Sequence, residues 1–303
     1  MRRIIFWSLF LVGLSGLLGG IVIKKLEPLN SAARFTNSPV NFHKSGFFEL
    51  EKLVIEGFQS GDNIQKNRYW TQIGITSHHL PTALPFIADF YKTLLASQGP
   101  RETFIILGPD HLERCSMLIS TTKDPYLTPF GELLTDEKIV DELSDSGVSI
   151  DDECLEGEHS IGVQTIFIKY LFPNAKIVPL IFSSKIEDDF LHKIVDVLFK
   201  YKDRITIISS VDLSHYQPYN KAIQLDQISQ KMIEDLDWPS FTTEYVDSPA
   251  SVKLAILLAK KTDSNNVIII GRANSYNFTD HPENTTGYIN VIFVDYSKNN
   301  QQQ

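Results

Sequence analysis

The chain has 303 residues, long enough for one large α/β domain with a substantial core. Its 43% hydrophobic and 21% charged content are ordinary for a globular protein. A formal charge of −9 with no Lys/Arg-rich stretch excludes nucleic acid as an expected partner, because phosphate binding requires a concentrated basic surface.

Residues 4–23 carry no charge and are flanked by Arg2 and Arg3 before and by Lys24 and Lys25 after. That length predicts a membrane-spanning helix within an anchor over 1–25. The basic residues and the amino terminus on the near side favour a single-pass membrane protein with an extracytoplasmic domain. Residues 26–40, with Pro28 and Pro39, read as a linker. A globular pattern runs over 41–296, and the polar tail 297–303 has nothing to bury and is expected to be disordered.

Seven short apolar runs predict strands, at 72–76, 103–107, 116–120, 176–181, 204–209, 266–270 and 287–294. Helices are predicted between them, at 82–97, 136–145, 160–171, 187–201, 221–236 and 249–261. The alternation predicts a single three-layer α/β domain with a mostly parallel central sheet, preceded by the transmembrane helix. No Gly-x-Gly-x-x-Gly or Walker sequence supports nucleotide binding.

Three of the eight histidines end strand-like runs. The runs are Ile73-Gly-Ile-Thr-Ser-His78, Phe104-Ile-Ile-Leu-Gly-Pro-Asp-His111 and Ile205-Thr-Ile-Ile-Ser-Ser-Val-Asp-Leu-Ser-His215. Ligands in open α/β sheets bind outside the carboxyl ends of strands, so these imidazoles point to a metal or acid–base site. His78 and His111 lie 33 residues apart, one β–α–β unit, which predicts parallel neighbouring strands. Two imidazoles need a third donor to hold a divalent ion. Asp212 and His215 share a turn, and the carboxylate there is placed to orient the imidazole. Ser214 lacks the elbow of a hydrolase nucleophile, and the same segment also reads as a capped helix start. Glu158 and His159, opening a helix, either line the cleft or complement the helix N-terminus. Cys115 and Cys154 form no disulfide framework or zinc-finger pattern; they read as buried free thiols, with a single bridge as the alternative.

These motifs resemble the Memo family, known in prokaryotes as AmmeMemoRadiSam system protein B and related in fold to class III extradiol dioxygenase catalytic subunits. The resemblance rests, in order, on Ile75-Thr-Ser-His78, Ile105-Ile-Leu-Gly-Pro-Asp-His111, Asp124-Pro-Tyr-Leu-Thr-Pro-Phe130, Glu158-His-Ser-Ile161 and Ser209-Ser-Val-Asp-Leu-Ser-His215. A weaker echo is His43-Lys-Ser-Gly-Phe-Phe48. The resemblance implies that His78 and His111 are metal ligands and that His215 is an acid–base group. The family's third ligand is a cysteine in Memo proteins and a glutamate in the dioxygenases. Here that region reads Glu244-Tyr-Val-Asp247-Ser-Pro-Ala250, which makes Asp247 the first candidate and Glu244 the second. The expected cofactor is a divalent metal, Fe(II) by resemblance, with zinc as the alternative. The expected function is an iron-dependent oxidoreductase acting on a small molecule. The alternatives are a non-catalytic, membrane-tethered protein binding a small ligand or peptide, and a zinc-type hydrolase.

Overall fold

The structure is a computed structural model that describes residues 43–44, 51–59 and 69–298. An eight-stranded sheet is built from β2 (Thr71–Thr76), β3 (Thr103–Pro109), β4 (Ile119–Thr121), β7 (Ser149–Ile150), β8 (Lys176–Phe182), β9 (Ile205–Ser210), β10 (Asn266–Asn274) and β11 (Gly287–Val294). Its order is β10-β11-β2-β9-β3-β8-β4-β7. The four middle strands, β2, β9, β3 and β8, run parallel, and β10, β11 and β4 add antiparallel pairings. A separate small sheet pairs β1 (His43–Lys44), β5 (Tyr126–Thr128) and β6 (Gly131–Leu133).

The middle strands are apolar on both faces because helices cover both. Ile105 and Leu107 of β3 pack with α3 (Glu137–Asp145), α6 (Asp188–Phe199) and α8 (Pro249–Lys261). Phe104 and Ile106, pointing the other way, pack with α1 (Glu51–Gln59), α2 (Leu84–Ala96) and α5 (His159–Leu171). This period-2 division of a continuous apolar run is what a doubly covered parallel strand requires. The remaining helices are α4 (Asp152–Leu155) and α7 (Tyr219–Glu234).

The fold class expected from sequence needs correction in its added membrane helix. Among the described residues no helix is long and apolar enough to cross a membrane. The segment 4–23 lies outside the described residues, as does the linker. The single-pass, extracytoplasmic assignment is corrected with it. His78 and His111 follow parallel strands, but these are not neighbours, since β9 lies between β2 and β3. The cysteines are not free: Cys115 and Cys154 are joined by a disulfide.

Gly74 in β2 shows how tightly the layers close. A Cβ there would lie 2.6 Å from the ring of the fully buried Phe90 and 3.0 Å from the Val291 carbonyl oxygen. Gly74→Ala is expected to destabilise the domain by about 1–3 kcal/mol, the usual cost of overpacking. Urea unfolding would measure it, and an unchanged midpoint would show that the layers can give way.

Candidate metal centre

The carboxyl ends of β2, β3 and β9 bring His78, His111, Asp212 and His215 together, and the turn before α8 adds Asp247. Asp247 Oδ2 lies 3.1 Å from His78 Nε2 and 3.7 Å from His111 Nε2. Asp212 Oδ2 lies 3.8 Å from His78 Nε2 and 3.7 Å from His215 Nε2. The three imidazoles are therefore linked through two carboxylates, with His78 touching both. Glu244, the second candidate for a third ligand, is exposed.

The network behind each imidazole fixes its tautomer. Ser210 Oγ donates to the Ser160 carbonyl at 2.6 Å, so it accepts from His78 Nδ1 at 3.3 Å. Gln164 of α5 steadies this corner by donating to Ser210 Oγ and to the Ser77 carbonyl, each at 2.9 Å. Its own carbonyl oxygen accepts from the Tyr91 hydroxyl at 2.9 Å. His111 Nδ1 donates to Glu158 Oε1 at 2.9 Å, and the His111 amide donates to Glu158 Oε2 at 3.0 Å. Glu158 also caps α5 by accepting from the Ser160 amide at 2.8 Å. With Nδ1 carrying a hydrogen in both rings, Nε2 is the nitrogen that faces Asp247, and it becomes a free donor when the ring gives up its second proton.

Asp212 and Asp247 also lock each other. The Asp247 amide donates to the Asp212 carbonyl at 3.1 Å, and the Asp212 amide donates to Asp247 Oδ2 at 3.2 Å. Asp212 Oδ1 accepts from the Ser77 hydroxyl and, at 3.4 Å, from the His78 amide. One buried carboxylate thus ties the ends of β2 and β9.

Electrostatics at the cluster favour a positive centre. Burial lowers the His78 pKa, but Asp212 and Asp247 outweigh it and raise it above the usual imidazole range. Burial opposes the charge on His111 too, yet the nearby Asp247 carboxylate and the hydrogen bond to Glu158 push it up to about 10. Burial would raise Glu158, but His111 brings it down to about 2. Asp247 is likewise held well below the usual carboxylate range, with burial outweighed by His78 and His111. His215 is raised, because Asp212 and Asp247 outweigh its burial.

Two atoms at the centre lack hydrogen bonds: His78 Nε2 and Asp247 Oδ1 are buried with no such partner. The 3.1 Å approach of His78 Nε2 to Asp247 Oδ2 is an ion-pair distance without hydrogen-bond alignment. A buried nitrogen and a buried oxygen left without partners, on side chains that approach to 3.1 Å, fit a divalent cation. Two overlapping donor sets are close enough to hold one: His78 with Asp212 and Asp247, and His78 with His111 and His159. His159 stacks on His111, with ring centroids 4.2 Å apart, and burial together with the neighbouring His78 and His111 lowers its pKa to about 4. A third group, His43 with Asp124 and Asp152, lies beside the small sheet. Both ring nitrogens of His43 are already engaged there, by Glu156 at 3.0 Å and Thr122 at 3.2 Å.

A cavity of about 660 Å³ opens beside His111 and Asp247. Phe182, Leu191 and Phe241 give it an apolar wall, and Ser183, Thr242 and Lys253 give it polar groups. Its volume falls in the range of small-molecule pockets, and it opens at the His/Asp cluster.

The sequence analysis named His78, His111, Asp247, Asp212 and His215, and the structure brings all five together. It missed that Asp212 reaches His78 as well as His215, and that Glu158 is the orienting partner of His111. The signal for the second was present in Glu158-His159 at the start of α5, where cap and cleft residue were treated as alternatives.

Fold and cluster together define an α/β protein with candidate His/Asp metal-binding groups at the carboxyl edge of its sheet. The model of the family described as Memo-like protein matches residues 55–281, and the chain belongs to that family. It is 30% identical over 213 residues to a MEMO1 family protein of Sulfurisphaera tokodaii, covering 66% of this chain and 75% of that protein. A MEMO1 family protein of Caldivirga maquilingensis is 27% identical over 265 residues, covering 82% and 94%. Among solved structures, an uncharacterised protein of Escherichia coli K12 is 13% identical with a TM-score of 0.43, covering 72% of this chain and 98% of that one. That likeness is too distant to bear on fold or function.

Proposed function

We propose that the chain binds a divalent metal through His78, His111 and Asp247 and uses it in oxidoreductase chemistry on a small molecule held in the adjoining cavity. The observation that carries this reading is the convergence of His78 Nε2, His111 Nε2 and the Asp247 carboxylate, with one nitrogen and one oxygen lacking hydrogen bonds. Two imidazoles and one carboxylate form the facial donor set suited to ferrous iron. Bound there, a ferrous ion would supply a site for activating oxygen or substrate.

The protein's own contribution is orientation and proton handling. Ser210 and Glu158 hold the two imidazoles with Nε2 inward. His215, partly exposed and facing Asp212, is positioned to exchange a proton with a substrate while Asp212 stabilises its charged form. The apolar wall of the cavity limits water around the reacting group.

Metal analysis of the purified protein tests the centre. Stoichiometric iron supports the reading, zinc would redirect it to hydrolysis, and failure to take up any divalent ion would leave a ligand-binding protein. His215→Ala is expected to keep its metal while losing about 10²–10⁴-fold in turnover, followed as dioxygen uptake with candidate substrates. Loss of metal in that variant would make His215 a ligand, and an unchanged rate would remove it from the mechanism.

A further inference from the structure

We infer that the Cys115–Cys154 disulfide controls the affinity of the metal centre by holding the His111–Glu158 pair together, so that thiol reductants weaken metal binding. The inference rests on the metal reading above and adds its regulation.

The bridge brackets that pair in the sequence and in space. Cys115 lies four residues beyond His111, and Cys154 lies four residues before Glu158. The disulfide, with its Cα atoms 4.8 Å apart, joins the loop after β3 to the single turn of α4. His111 and Glu158 make the next connection between the same two segments, and Arg114 Nη1 to the Glu156 carbonyl at 3.2 Å makes a third. Beyond these, the loop is held by the stack of His111 on His159 and, at its two ends, by the Asp110 amide donating to the Phe182 carbonyl at 3.2 Å and the Ser183 amide donating to the Leu118 carbonyl at 3.0 Å. Leu112 is exposed, Glu113 adopts a positive φ of 49°, and the Arg114 and Cys115 amides bond to Asp110 within the same loop. Cys154 is buried in the core and is the fixed end of the bridge. Cys115 is half-buried and lines the cavity, so a thiolate entering there meets the movable end.

The chemistry balances with a dithiol as reductant. Its thiolate attacks the Cys115 sulfur, the S–S bond breaks, and Cys154 leaves as a thiolate that takes up a proton. The second thiol of the reductant then displaces Cys115 from the mixed disulfide. The bridge gains two electrons and two protons, and the dithiol becomes a disulfide. Once opened, the loop keeps the His111–His159 stack and its hydrogen bonds but loses its one covalent tie to α4, and the frame that keeps His111 Nε2 aimed at Asp247 is loosened. Losing such an orienting partner typically costs about 10–100-fold in metal affinity.

The test is a Co(II) titration of the full chain, followed by visible absorption, in three preparations. These are the oxidised protein, the protein reduced with dithiothreitol and desalted under argon, and the Cys115→Ser/Cys154→Ser double variant. The double variant removes the thiols that could themselves bind Co(II), and circular dichroism checks that each preparation keeps its fold. The reduced protein and the double variant are expected to bind about 10–100-fold more weakly than the oxidised one, with reoxidation restoring the wild type. Affinities within twofold across all three would overturn the inference. Hydrogen exchange on the metal-free protein gives an independent readout: the amides of His111, Arg114 and Cys115 should lose protection when the bridge is absent. Unchanged protection would also overturn it. If no preparation binds Co(II), the metal reading and its control fall together, and the exchange result still shows whether the bridge holds the loop.

Discussion

Asp247→Ala is expected to lower affinity for a divalent ion by more than about 100-fold, because loss of an outer orienting partner alone typically costs about 10–100-fold. Asp247 Oδ2 is the oxygen shared by His78 and His111, at 3.1 and 3.7 Å. Its carboxylate cannot be replaced by Glu244, which is exposed, and Asp212 already accepts from Ser77 and the His78 amide. The metal-free variant should also be less stable, since removing one partner of a buried pair costs up to about 3–5 kcal/mol. The loss is moderated because His78 is drawn toward its neutral form once one of its two carboxylates has gone. Asp247→Asn separates the effects by keeping the shape and removing the charge. Metal content by mass spectrometry and Co(II) titration would read the affinity, and wild-type binding by Asp247→Ala would remove Asp247 from the centre.

Much of this centre is legible in the sequence because the parallel strands that carry it are short, apolar and end at polar residues. A histidine placed just after such a strand has few places to go other than the sheet edge. What pairs with what is less legible, because it depends on strand order. The 33-residue spacing of His78 and His111 correctly implies a β–α–β unit, but it cannot reveal that β9 enters later between their strands. That insertion is what carries Asp212 into the middle of the cluster. Apolar runs also mislead where they are not buried. The strand predicted at 116–120 begins only at Ile119, because Met117 and Leu118 remain exposed. The strand predicted at 266–270 runs on to Asn274, since a register shift between Ile269 and Gly271 lets pairing with β11 continue. Cys115 and Cys154, far apart in the sequence, meet only because α4 returns to the loop after β3.

Loading the centre with a divalent ion is expected to release about one proton at pH 7 from His111, since ligand nitrogens must be neutral to bind. In the metal-free protein His111 is raised to about 10, so its Nε2 carries a proton where the ion would bind, and His78 is raised as well because Asp212 and Asp247 outweigh its burial. Proton and metal compete, and affinity should therefore climb with pH by about tenfold per unit while the His111 proton is displaced. The stability of the metal-free fold should move the opposite way. The raised His111 contributes stability that is fully present below the ordinary imidazole value of 6.5 and is lost as pH rises through about 10. Glu158, lowered from 4.5 to about 2, contributes above 4.5 and loses that contribution as pH falls through 2. With respect to this pair, the metal-free protein is thus most stable between 4.5 and 6.5, and metal gains its advantage above that window. Calorimetric titration in buffers of different ionisation enthalpy counts the protons directly, and thermal unfolding across pH, with and without metal, checks the crossover. Binding with no proton release at pH 7 would mean that the ion is not held by His111 Nε2.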